Sequence, residues 1–442
     1  MIQSFSIENF KSFRKATLPL APLTLLIGAN ASGKSNAIEA MQLLSWLASG
    51  KRLGELPSAL REQELAIRGT SRDLTFEGAA EISFGCEIGP EEDSDGPQLL
   101  FSTALDIGKE GLRISREQLD SPDLSPRFPL YQTAGPAPAH GEWIEVVYNS
   151  FAKGRKPRIT CTDQQAIFTQ IETPARFEAH HGDAQKRIPA AASNLRRNLR
   201  SILFLNPDPR RMRGYSFVLE RGLQGDGGAL SSVLQRLIDE EGEKEQILRF
   251  IHALPEQDIR DISFLGTPRN EVMVMLHETF GAKVTMREAA LLSDGTLRVL
   301  AVAAALLSVL PGSTVVIEEI DNGVHPSRAE ALLRNIQRIA RERNLQVLLT
   351  THNPALLDAI PPEAVPDTVA CYRDPEEGDS RLIRLEELAS YPELVAQGPL
   401  GRLVTRGILD RFLKDPDKRD SAAKVEKGLA WLSDFKRRAQ SS

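Results

Sequence analysis

Residues 28–35, with the sequence GANASGKS, have the types and spacing that bind the phosphates of a nucleotide. The glycines let backbone N–H groups turn inward around phosphate oxygens, Lys34 can reach the β and γ phosphates, and the Ser35 hydroxyl can ligate Mg²⁺. The apolar run at 23–27 predicts a strand before this loop. Apolar residues after the loop predict a helix whose dipole adds positive potential. We therefore predict a phosphate-binding loop rather than an ordinary glycine-rich turn.

A second candidate for phosphate chemistry is Ser293-Asp294-Gly295, which precedes the apolar stretch 299–310. A serine hydroxyl, unobstructed glycine amides and the positive end of a helix dipole together suit a γ-phosphate. The same serine would also serve as an ordinary helix N-cap. The residues alone leave both interpretations open.

Two carboxylates and a histidine follow predicted buried strands. Residues 314–319, TVVIEE, are expected to form a β-branched strand that ends in Glu318 and Glu319. Because side chains alternate along a strand, one carboxylate can face a metal ion while the next turns toward an attacking water. Residues 346–354 are expected to form another buried strand with His352 at its carboxyl end, where ligands of open α/β sheets bind. A lone histidine is more often structural, so its role depends on the other motifs.

The composition indicates an ordinary globular protein. The chain has 442 residues, of which 41% are hydrophobic and 26% are charged, enough for about two or three compact units. The apolar stretch 299–310 is too short to span a bilayer, and we recognise no secretory leader at 1–5. Cys86, Cys161 and Cys371 are too widely spaced to predict a disulfide framework or a zinc site. We expect a cytoplasmic protein with no membrane partner, and the net charge of −6 argues against a polyanion binder held by overall charge.

Together these elements resemble the ABC-type ATPases of the SMC, RecF and OLD-like branch, often described as AAA-family ATPases of bacterial anti-phage defence. The opening residues 7–13, IENFKSF, are similar to the E-N-F-K-S-F start of that branch. Residues 320–326, IDNGVHP, are similar to its P-E-N-G-L-H-P segment, the D-loop. The resemblance covers roughly residues 1–60 and 265–412. It implies an α/β fold of the ABC-type P-loop NTPase head, in which residues 28–35 are the Walker A motif.

The resemblance also implies a role for each candidate residue. Glu319 would be the catalytic carboxylate of the Walker B motif, His352 the switch histidine, and Lys34 the lysine that acts on the transferred phosphate. Ser35 and Glu318 would hold Mg²⁺. Contacts to ATP are expected from Lys11, Ser12, Asn30, Ala31, Ser32, Gly33, Lys34, Ser35, Asn36, Ser293 and Gly295.

Three features differ from the pattern of ABC transporters. Glu318 stands where transporters carry Asp, but the longer carboxylate can still hold a metal-bound water. Ser293 and Gly295, which correspond to the signature motif, lie in Ser-Asp-Gly-Thr rather than Ser-Gly-Gly-Gln, and this argues against a transport subunit. We find no convincing Q-loop glutamine, and Gln63 is the nearest candidate.

The resemblance implies a mixed central sheet, and the segments between the motifs predict an antiparallel β lobe and a short helical insert. Alternating residues at 82–88, 99–107 and 143–148 predict antiparallel strands, and residues 273–286 predict a hairpin. Helical periodicity at 228–254 lacks heptad repeats, so we expect a compact head with a helical stub and no coiled-coil arm. The expected division is lobe I at 1–220, the helical insert at 221–265, lobe II at 266–412 and a helical C-terminal tail at 413–442.

Charged and amphipathic segments give the expected partners. Basic residues cluster at 153–158 and 196–213, which is compatible with a DNA path or with locally paired loop charges. The amphipathic pattern at 415–442 predicts a helix that packs on its own domain or docks a partner. Ninety residues follow His352, fewer than a fused Toprim nuclease needs, so any nuclease would be a separate chain.

In the family geometry, the signature residues lie far from the phosphates that their own subunit binds. The resemblance therefore implies a homodimer, or a higher homo-oligomer, in which ATP is held between Lys34 of one head and Ser293 of the other. The leading hypothesis is an ATP-hydrolysing switch that controls a separate nuclease or other toxic effector in anti-phage defence. A RecF-like DNA-repair ATPase and a non-catalytic ATP-binding scaffold are the alternatives.

Overall fold

The computed structural model describes residues 1–62, 64–90, 96–108, 111–135, 142–252, 258–280, 283–321 and 329–415. Gln63, the D-loop beyond Asp321 and the predicted tail helix from residue 416 onward lie outside these residues. The strands are β1 Ile2–Phe10, β2 Phe13–Pro19, β3 Leu23–Ile27, β4 Glu81–Ile88, β5 Leu99–Gly108, β6 Gly111–Asp120, β7 Tyr131–Thr133, β8 Trp143–Tyr148, β9 Arg158–Thr162, β10 Leu203–Leu205, β11 Ser216–Phe217, β12 Asp258–Gly266, β13 Glu271–Phe280, β14 Lys283–Glu288, β15 Thr314–Ile317, β16 Gln346–Thr350, β17 Val369–Arg373 and β18 Ser380–Arg384. The helices are α1 Lys34–Ala48, α2 Leu56–Arg61, α3 Gly182–Arg200, α4 Pro209–Met212, α5 Leu230–Asp239, α6 Lys244–Ile251, α7 Asp294–Ser308, α8 Ala329–Glu342, α9 Pro354–Asp358, α10 Tyr391–Val395, α11 Leu400–Thr405 and α12 Ile408–Lys414.

The central sheet is mixed, as the resemblance implies. Its strand order is β10-β15-β16-β3-β17-β18, in which the first five strands are parallel and β18 is antiparallel. Every residue of β3, β15 and β16 is buried, as expected for parallel strands that are covered on both faces. Because β15, β16 and β3 are neighbours, their carboxyl ends meet at one edge of the sheet.

Alternate side chains of the central strands enter two different cores. Leu25 and Ile27 of β3 pack with the apolar residues of α5, α6, α7 and α8. Leu26, between them, packs instead with α1, α3 and the second sheet. The sheet therefore has a packed core on each face, and alternate side chains of β3 contribute to both cores.

The antiparallel β lobe is confirmed as a sheet of eight strands in the order β2-β1-β4-β5-β6-β7-β8-β9. All of its strand pairs are antiparallel. A third sheet has the order β11-β13-β12, and β14 pairs with β13 to give the predicted hairpin before α7.

The helical segment at 228–254 contains α5 and α6, whose apolar residues pack into the same core as α7. These helices are therefore integrated into the head. The expected boundary at 265 falls within β12, which pairs with β13 along its length. The division of the chain into four parts stays a proposal. Among the described helices, none combines the length and the apolar character that a membrane crossing requires.

Candidate functional site

The carboxyl ends of β3, β15 and β16 open onto a cleft of about 770 Å³. Residues 30–36 follow β3, Glu318 and Glu319 follow β15, and residues 350–352 lie at the end of β16; all of them line the cleft. Lys11 and Ser12, between β1 and β2, line it as well. The structure therefore brings together all the candidate residues except Ser293 and Gly295. The other lining residues are Arg68, Asp73, Thr75, Phe76, Glu77, Arg373 and Gly378.

Two glycines allow the phosphate-binding loop to lie against β17 and β18. Gly28 has a φ of +152°, and a Cβ there would lie 2.1 Å from the carbonyl oxygen of Cys371. Gly33 has a φ of +120°, and a Cβ there would lie 2.5 Å from Ser380 Oγ. Both the backbone conformation and the close approach exclude a side chain at these positions.

Lys34 begins α1, and its ammonium group lies within the loop. Nζ donates hydrogen bonds to the carbonyl oxygens of Gly28 at 2.7 Å and Ala29 at 3.0 Å. Burial lowers the pKa of Lys34, and nearby negative charge, including that of Glu319 and Asp321, opposes this shift. The loop therefore holds a cation next to the backbone amides that suit phosphate oxygens.

The expectation that alternation along β15 turns Glu318 and Glu319 to opposite sides is wrong. β15 ends at Ile317, and Glu319 has a left-handed backbone with a φ of +49°. The Glu318 N–H donates to Leu205 O at 2.9 Å, and the Glu319 N–H donates to Thr350 Oγ1 at 2.9 Å. A turn held by neighbouring strands thus leaves Glu318 half-buried and Glu319 exposed. Left-handed non-glycine residues cost about 1–2 kcal/mol, and such strain is concentrated at functional sites.

Glu318 has the surroundings of a metal ligand. Burial, together with the nearby carboxylates of Glu39 and Glu319, raises the pKa of Glu318 to about 7, while Arg68 opposes this shift. A divalent cation relieves repulsion among carboxylates and inverts this effect on the pKa. Ser35, in the first turn of α1, lines the same cleft. Carboxylate and hydroxyl oxygens are ligands of Mg²⁺, so Ser35 and Glu318 fit this ion together with water and phosphate oxygens.

An ion-pair network around the buried Glu39, which the sequence analysis missed, joins the opening turn to α1. Glu39 is 3% exposed and accepts hydrogen bonds from Lys11 Nζ and, at 2.7 Å, from Arg68 Nε. Lys11 Nζ also donates to Arg68 O at 2.6 Å. A single acid within the apolar stretch of α1 was the available signal for Glu39. No sequence signal pointed to Arg68, because it reaches the cleft only through a loop that folds back toward α1.

Ser12 connects the opening turn to the loop and to β18. Asn36 Nδ2 donates to Ser12 Oγ at 2.7 Å, and the Ser380 N–H donates to Ser12 O at 2.7 Å. Ser380 Oγ lies 2.8 Å from Ser12 Oγ and donates to Ser32 O at 2.5 Å. Cys371 Sγ donates to the same carbonyl oxygen at 3.3 Å. The opening turn, the phosphate-binding loop and β18 are therefore held as one unit.

His352 lies at the rim of the cleft, two residues beyond β16. Its side chain is 51% exposed, and Nε2 lies 3.9 Å from Asp321 Oδ2. The next residue, Asn353, caps α9 by accepting the Ala355 N–H at 3.0 Å. The cap fixes the backbone beside His352, so the imidazole is positioned at the strand end where ligands of such sheets bind.

Ser293 and Gly295 do not line this cleft. Ser293 is exposed and is the N-cap of α7, where Oγ accepts the Thr296 N–H at 3.1 Å. Arg213 donates to Leu292 O at 3.0 Å and pairs with Asp294 at 2.7 Å, so it fixes this turn. The N-cap interpretation is confirmed. The phosphate role of Ser293 stays a prediction, and it requires a second molecule to present the nucleotide.

Local partners bind several of the basic residues that were candidates for a DNA path. Their ion pairs include Arg158–Glu145, Arg196–Glu172, Arg211–Asp226 and Arg213–Asp294. Lys156 Nζ donates to Asn149 Oδ1 and Ala152 O, both at 2.9 Å. These contacts favour the interpretation as locally paired charges over a continuous phosphate-binding surface.

Comparisons with known proteins give one short sequence match and two distant structural likenesses. One curated relative, the DNA replication and repair protein RecF of Gloeobacter violaceus, is 41% identical over 69 residues. That alignment covers 15% of this chain and 16% of the relative, so the chain matches about a sixth of the relative's length. A solved SMC head bound to the C-winged helix domain of ScpA has 15% identity and a TM-score of 0.46 over 86% of this chain and 96% of that chain. The SMC head domain from Thermotoga maritima has 13% identity and a TM-score of 0.40 over 87% of this chain and 98% of that chain.

Residues 23–358 match the family model described as AAA domain, putative AbiEii toxin, Type IV TA system. This match spans well over half of the chain and includes the phosphate-binding loop, Ser293, both carboxylates and His352. The chain therefore belongs to this AAA-domain family.

Proposed function

We propose that this protein hydrolyses ATP at a site that is completed by a second copy of the chain. The observation that carries the proposal is the separation of the motif residues. Lys34, Glu319 and His352 line one cleft, whereas Ser293 lies on an exposed helix start that does not line it. A symmetric face-to-face homodimer brings each Ser293 to the partner's cleft and makes two equivalent sites.

Each residue of the cleft has a separate role in phosphoryl transfer. The loop amides and Lys34 Nζ, which leaves its carbonyl partners, bind the β and γ phosphates. Ser35 and Glu318 would hold Mg²⁺, which would neutralise phosphate charge. Glu319 orients the attacking water and accepts its proton, and its exposed side chain leaves room for that water. His352 contacts the γ-phosphate and senses its loss.

The second head supplies the remaining contacts. Ser293 donates its hydroxyl to the γ-phosphate, and the start of α7 contributes the positive end of its dipole. Both interactions depend on the γ-phosphate, so hydrolysis removes them and loosens the dimer. ATP occupancy then determines whether the two heads stay together, which makes the protein a switch.

The switch is proposed to act in anti-phage defence through a separate nuclease or other toxic effector. The family description, which refers to a putative toxin of a Type IV toxin–antitoxin system, supports such a role. In this scheme the effector recognises one of the two states of the head pair.

A RecF-like DNA-repair ATPase is the second candidate, favoured by the sequence match to RecF. The anti-phage switch and the DNA-repair ATPase differ in their expected response to DNA. If the basic clusters make about six phosphate contacts with DNA, the slope of log affinity against log salt will be about −5. A DNA-repair ATPase is also expected to hydrolyse ATP faster when DNA is bound. A flat salt response together with DNA-independent turnover would exclude this second candidate.

The central test is Glu319→Gln. This substitution keeps ATP binding but removes the proton acceptor, so turnover should fall by about 10²–10⁴-fold and an ATP-bound dimer should accumulate. Lys34→Ala should abolish ATP binding and leave a monomer. Turnover and light scattering after gel filtration measure both effects, and Glu330→Gln on α8 is the matched control at an exposed glutamate. A monomer–dimer balance that ATP does not alter in either the unmodified protein or Glu319→Gln would overturn the proposal.

A further inference from the structure

We propose that Glu178, His180 and His181 form a binding site for a divalent transition-metal ion of the Zn²⁺ class, separate from the nucleotide cleft. One donor atom from each of the three side chains lies within 4.8 Å of the other two. They lie in the turn just before α3, and none of them lines the cleft. The nucleotide chemistry assigns no role to these residues.

The local backbone already brings the three donors toward one point. The His181 N–H donates to Glu178 O at 2.9 Å and closes a tight turn. His180 Nε2 lies 3.2 Å from Glu178 Oε2, and one ring nitrogen of His181 lies within 4.8 Å of the other two donor atoms. The two imidazole ring centres are 4.1 Å apart. An ion needs only small side-chain rotations here, because the turn sets the distances between the ligands.

A buried tyrosine provides the outer partner that histidine ligands usually have. Tyr148 is fully buried, and its Oη lies 2.8 Å from His181 Nδ1. The Glu178 N–H donates to the same hydroxyl at 3.3 Å, and the Tyr148 ring packs edge-on against Phe177 at 5.0 Å. When Nδ1–H donates to Tyr148, Nε2 of His181 carries the lone pair that binds the ion. The tyrosine thus orients one ligand and anchors the backbone of another.

The donor set selects the kind of ion. Two imidazoles and one carboxylate suit Zn²⁺, Co²⁺ and Ni²⁺, whereas Mg²⁺ and Ca²⁺ prefer oxygen ligands. Three protein ligands leave a fourth position for water. The positive end of α3 opposes a cation at this place, and the negative charges of Glu178 and of Asp183 in the first turn counter it.

The position of the site gives bound metal a structural effect. α3 continues from the site to Arg196, whose Nε donates to Ala48 O at 3.0 Å, at the end of α1. α1 is the helix that carries Lys34 at its other end. Metal binding therefore fastens the start of a helix that supports the phosphate-binding loop, and it should raise the melting temperature of the protein.

The test is a titration of the full chain with Co²⁺, followed by its visible d–d absorption, in excess Mg²⁺ and without nucleotide. Mg²⁺ occupies oxygen-rich sites such as that of Glu318, so the Co²⁺ signal reports imidazole ligands. We expect one equivalent to bind, to be displaced by Zn²⁺, and to raise the melting temperature. His180→Ala and His181→Ala should each weaken Co²⁺ binding at least about tenfold. His180 is exposed, so its variant should fold normally.

Matched controls make the outcome decisive. His277→Ala removes an imidazole that instead bonds Ser263 Oγ at 2.7 Å, and Glu318→Gln removes the cleft carboxylate. Both variants should bind Co²⁺ as the unmodified protein does. Tyr148→Phe keeps the ring but loses the outer partner, and it should weaken binding about tenfold. Absence of stoichiometric Co²⁺ binding, or unchanged binding in His180→Ala and His181→Ala, would overturn the inference.

Discussion

At the scale of single residues, the motif side chains depend on partners that no motif contains. Glu39 is the clearest example, because burial of a lone carboxylate would be costly and here two cations offset the cost. Lys11 and Arg68 pair with it, so an acid on α1 holds the opening turn and a distant loop at the rim of the cleft. The position of Lys11 beside the nucleotide thus depends on Glu39.

Ser380 provides a test at this scale. Its hydroxyl contacts Ser32 O and Ser12 Oγ, and its Oγ would lie 2.5 Å from a Cβ at Gly33. Ser380→Ala removes these hydrogen bonds, each worth about 1 kcal/mol, and loosens the loop that binds the phosphates. We expect the affinity for ATP to fall by about fivefold, which corresponds to about 1 kcal/mol. Isothermal titration with a non-hydrolysable ATP analogue measures the change.

Ser390 is the matched control for this prediction. It is 1% exposed, and its Oγ has no hydrogen-bond partner among the described residues. Ser390→Ala should therefore leave both ATP affinity and the free energy of unfolding nearly unchanged, since the hydroxyl forms no bond that is lost. Equal ATP affinity in Ser380→Ala and Ser390→Ala would show that Ser380 does not position the loop.

At the scale of elements, a buried carboxylate on β6 fastens the 3₁₀ segment at 167–170 to the antiparallel sheet. Glu117 is 1% exposed and accepts the Ile167 N–H at 3.0 Å, the Phe168 N–H at 2.8 Å and the Tyr131 hydroxyl at 2.7 Å. Burial raises the pKa of Glu117 to about 7, and these donors oppose the rise because they favour the ionised form.

This raised pKa predicts how stability depends on pH. Glu117 binds its proton more tightly in the folded state than in the unfolded state, where the pKa is 4.5. Its contribution to stability is therefore complete below pH 4.5 and is lost as the pH rises to about 7. The difference between about 7 and 4.5 corresponds to roughly 3 kcal/mol.

Urea unfolding of the unmodified protein and of Glu117→Gln between pH 4.5 and 8 measures this effect. The free energy of unfolding of the unmodified protein should fall relative to that of the variant as the pH rises. The variant is expected to be less stable overall, because its amide group cannot accept all three hydrogen bonds. A constant difference between the two proteins across this range would contradict the raised pKa.

At the scale of the whole molecule, the shared-site proposal predicts complementation between two inactive variants. Lys34→Ala lacks a phosphate ligand in its own cleft, and Ser293→Arg blocks the partner's cleft. In a mixed dimer, one site combines an intact Lys34 with an intact Ser293, and the other site has both defects. An equal mixture should recover about a quarter of the unmodified turnover if the subunits pair at random, and about half if only mixed dimers form, because each mixed dimer has one intact site of two.

Turnover of the separate and mixed variants, after subunit exchange, measures this recovery. A mixture of Lys34→Ala with Glu319→Gln is the control, because both defects affect the same cleft and no intact site forms. Turnover in the first mixture that equals the average of its separate variants would show that each head acts alone.

The site could be predicted from the sequence wherever one element supplies its residues. The loop 28–35, the Ser293 cap and the strand before His352 depend on residues only a few positions apart. The antiparallel lobe followed from alternating apolar residues for the same reason, whereas the mixed central sheet was implied by the family resemblance. Alternation failed for Glu318 and Glu319 because Glu319 has a left-handed backbone and its N–H donates to the Thr350 side chain of a neighbouring strand, so the extended conformation does not continue past β15.

The sequence by itself determined which chemistry the chain carries, because phosphate-binding loops, helix caps and strand patterns are local properties of the backbone and its adjacent side chains. Only the tertiary structure decided which of these groups share a cleft and what supports them. Lys11 and Glu39 are 28 positions apart, and Ser12 and Ser380 are 368 apart. Contacts of this kind depend on the order of strands in a sheet and on the packing of two cores, and neither is encoded within a short stretch of residues.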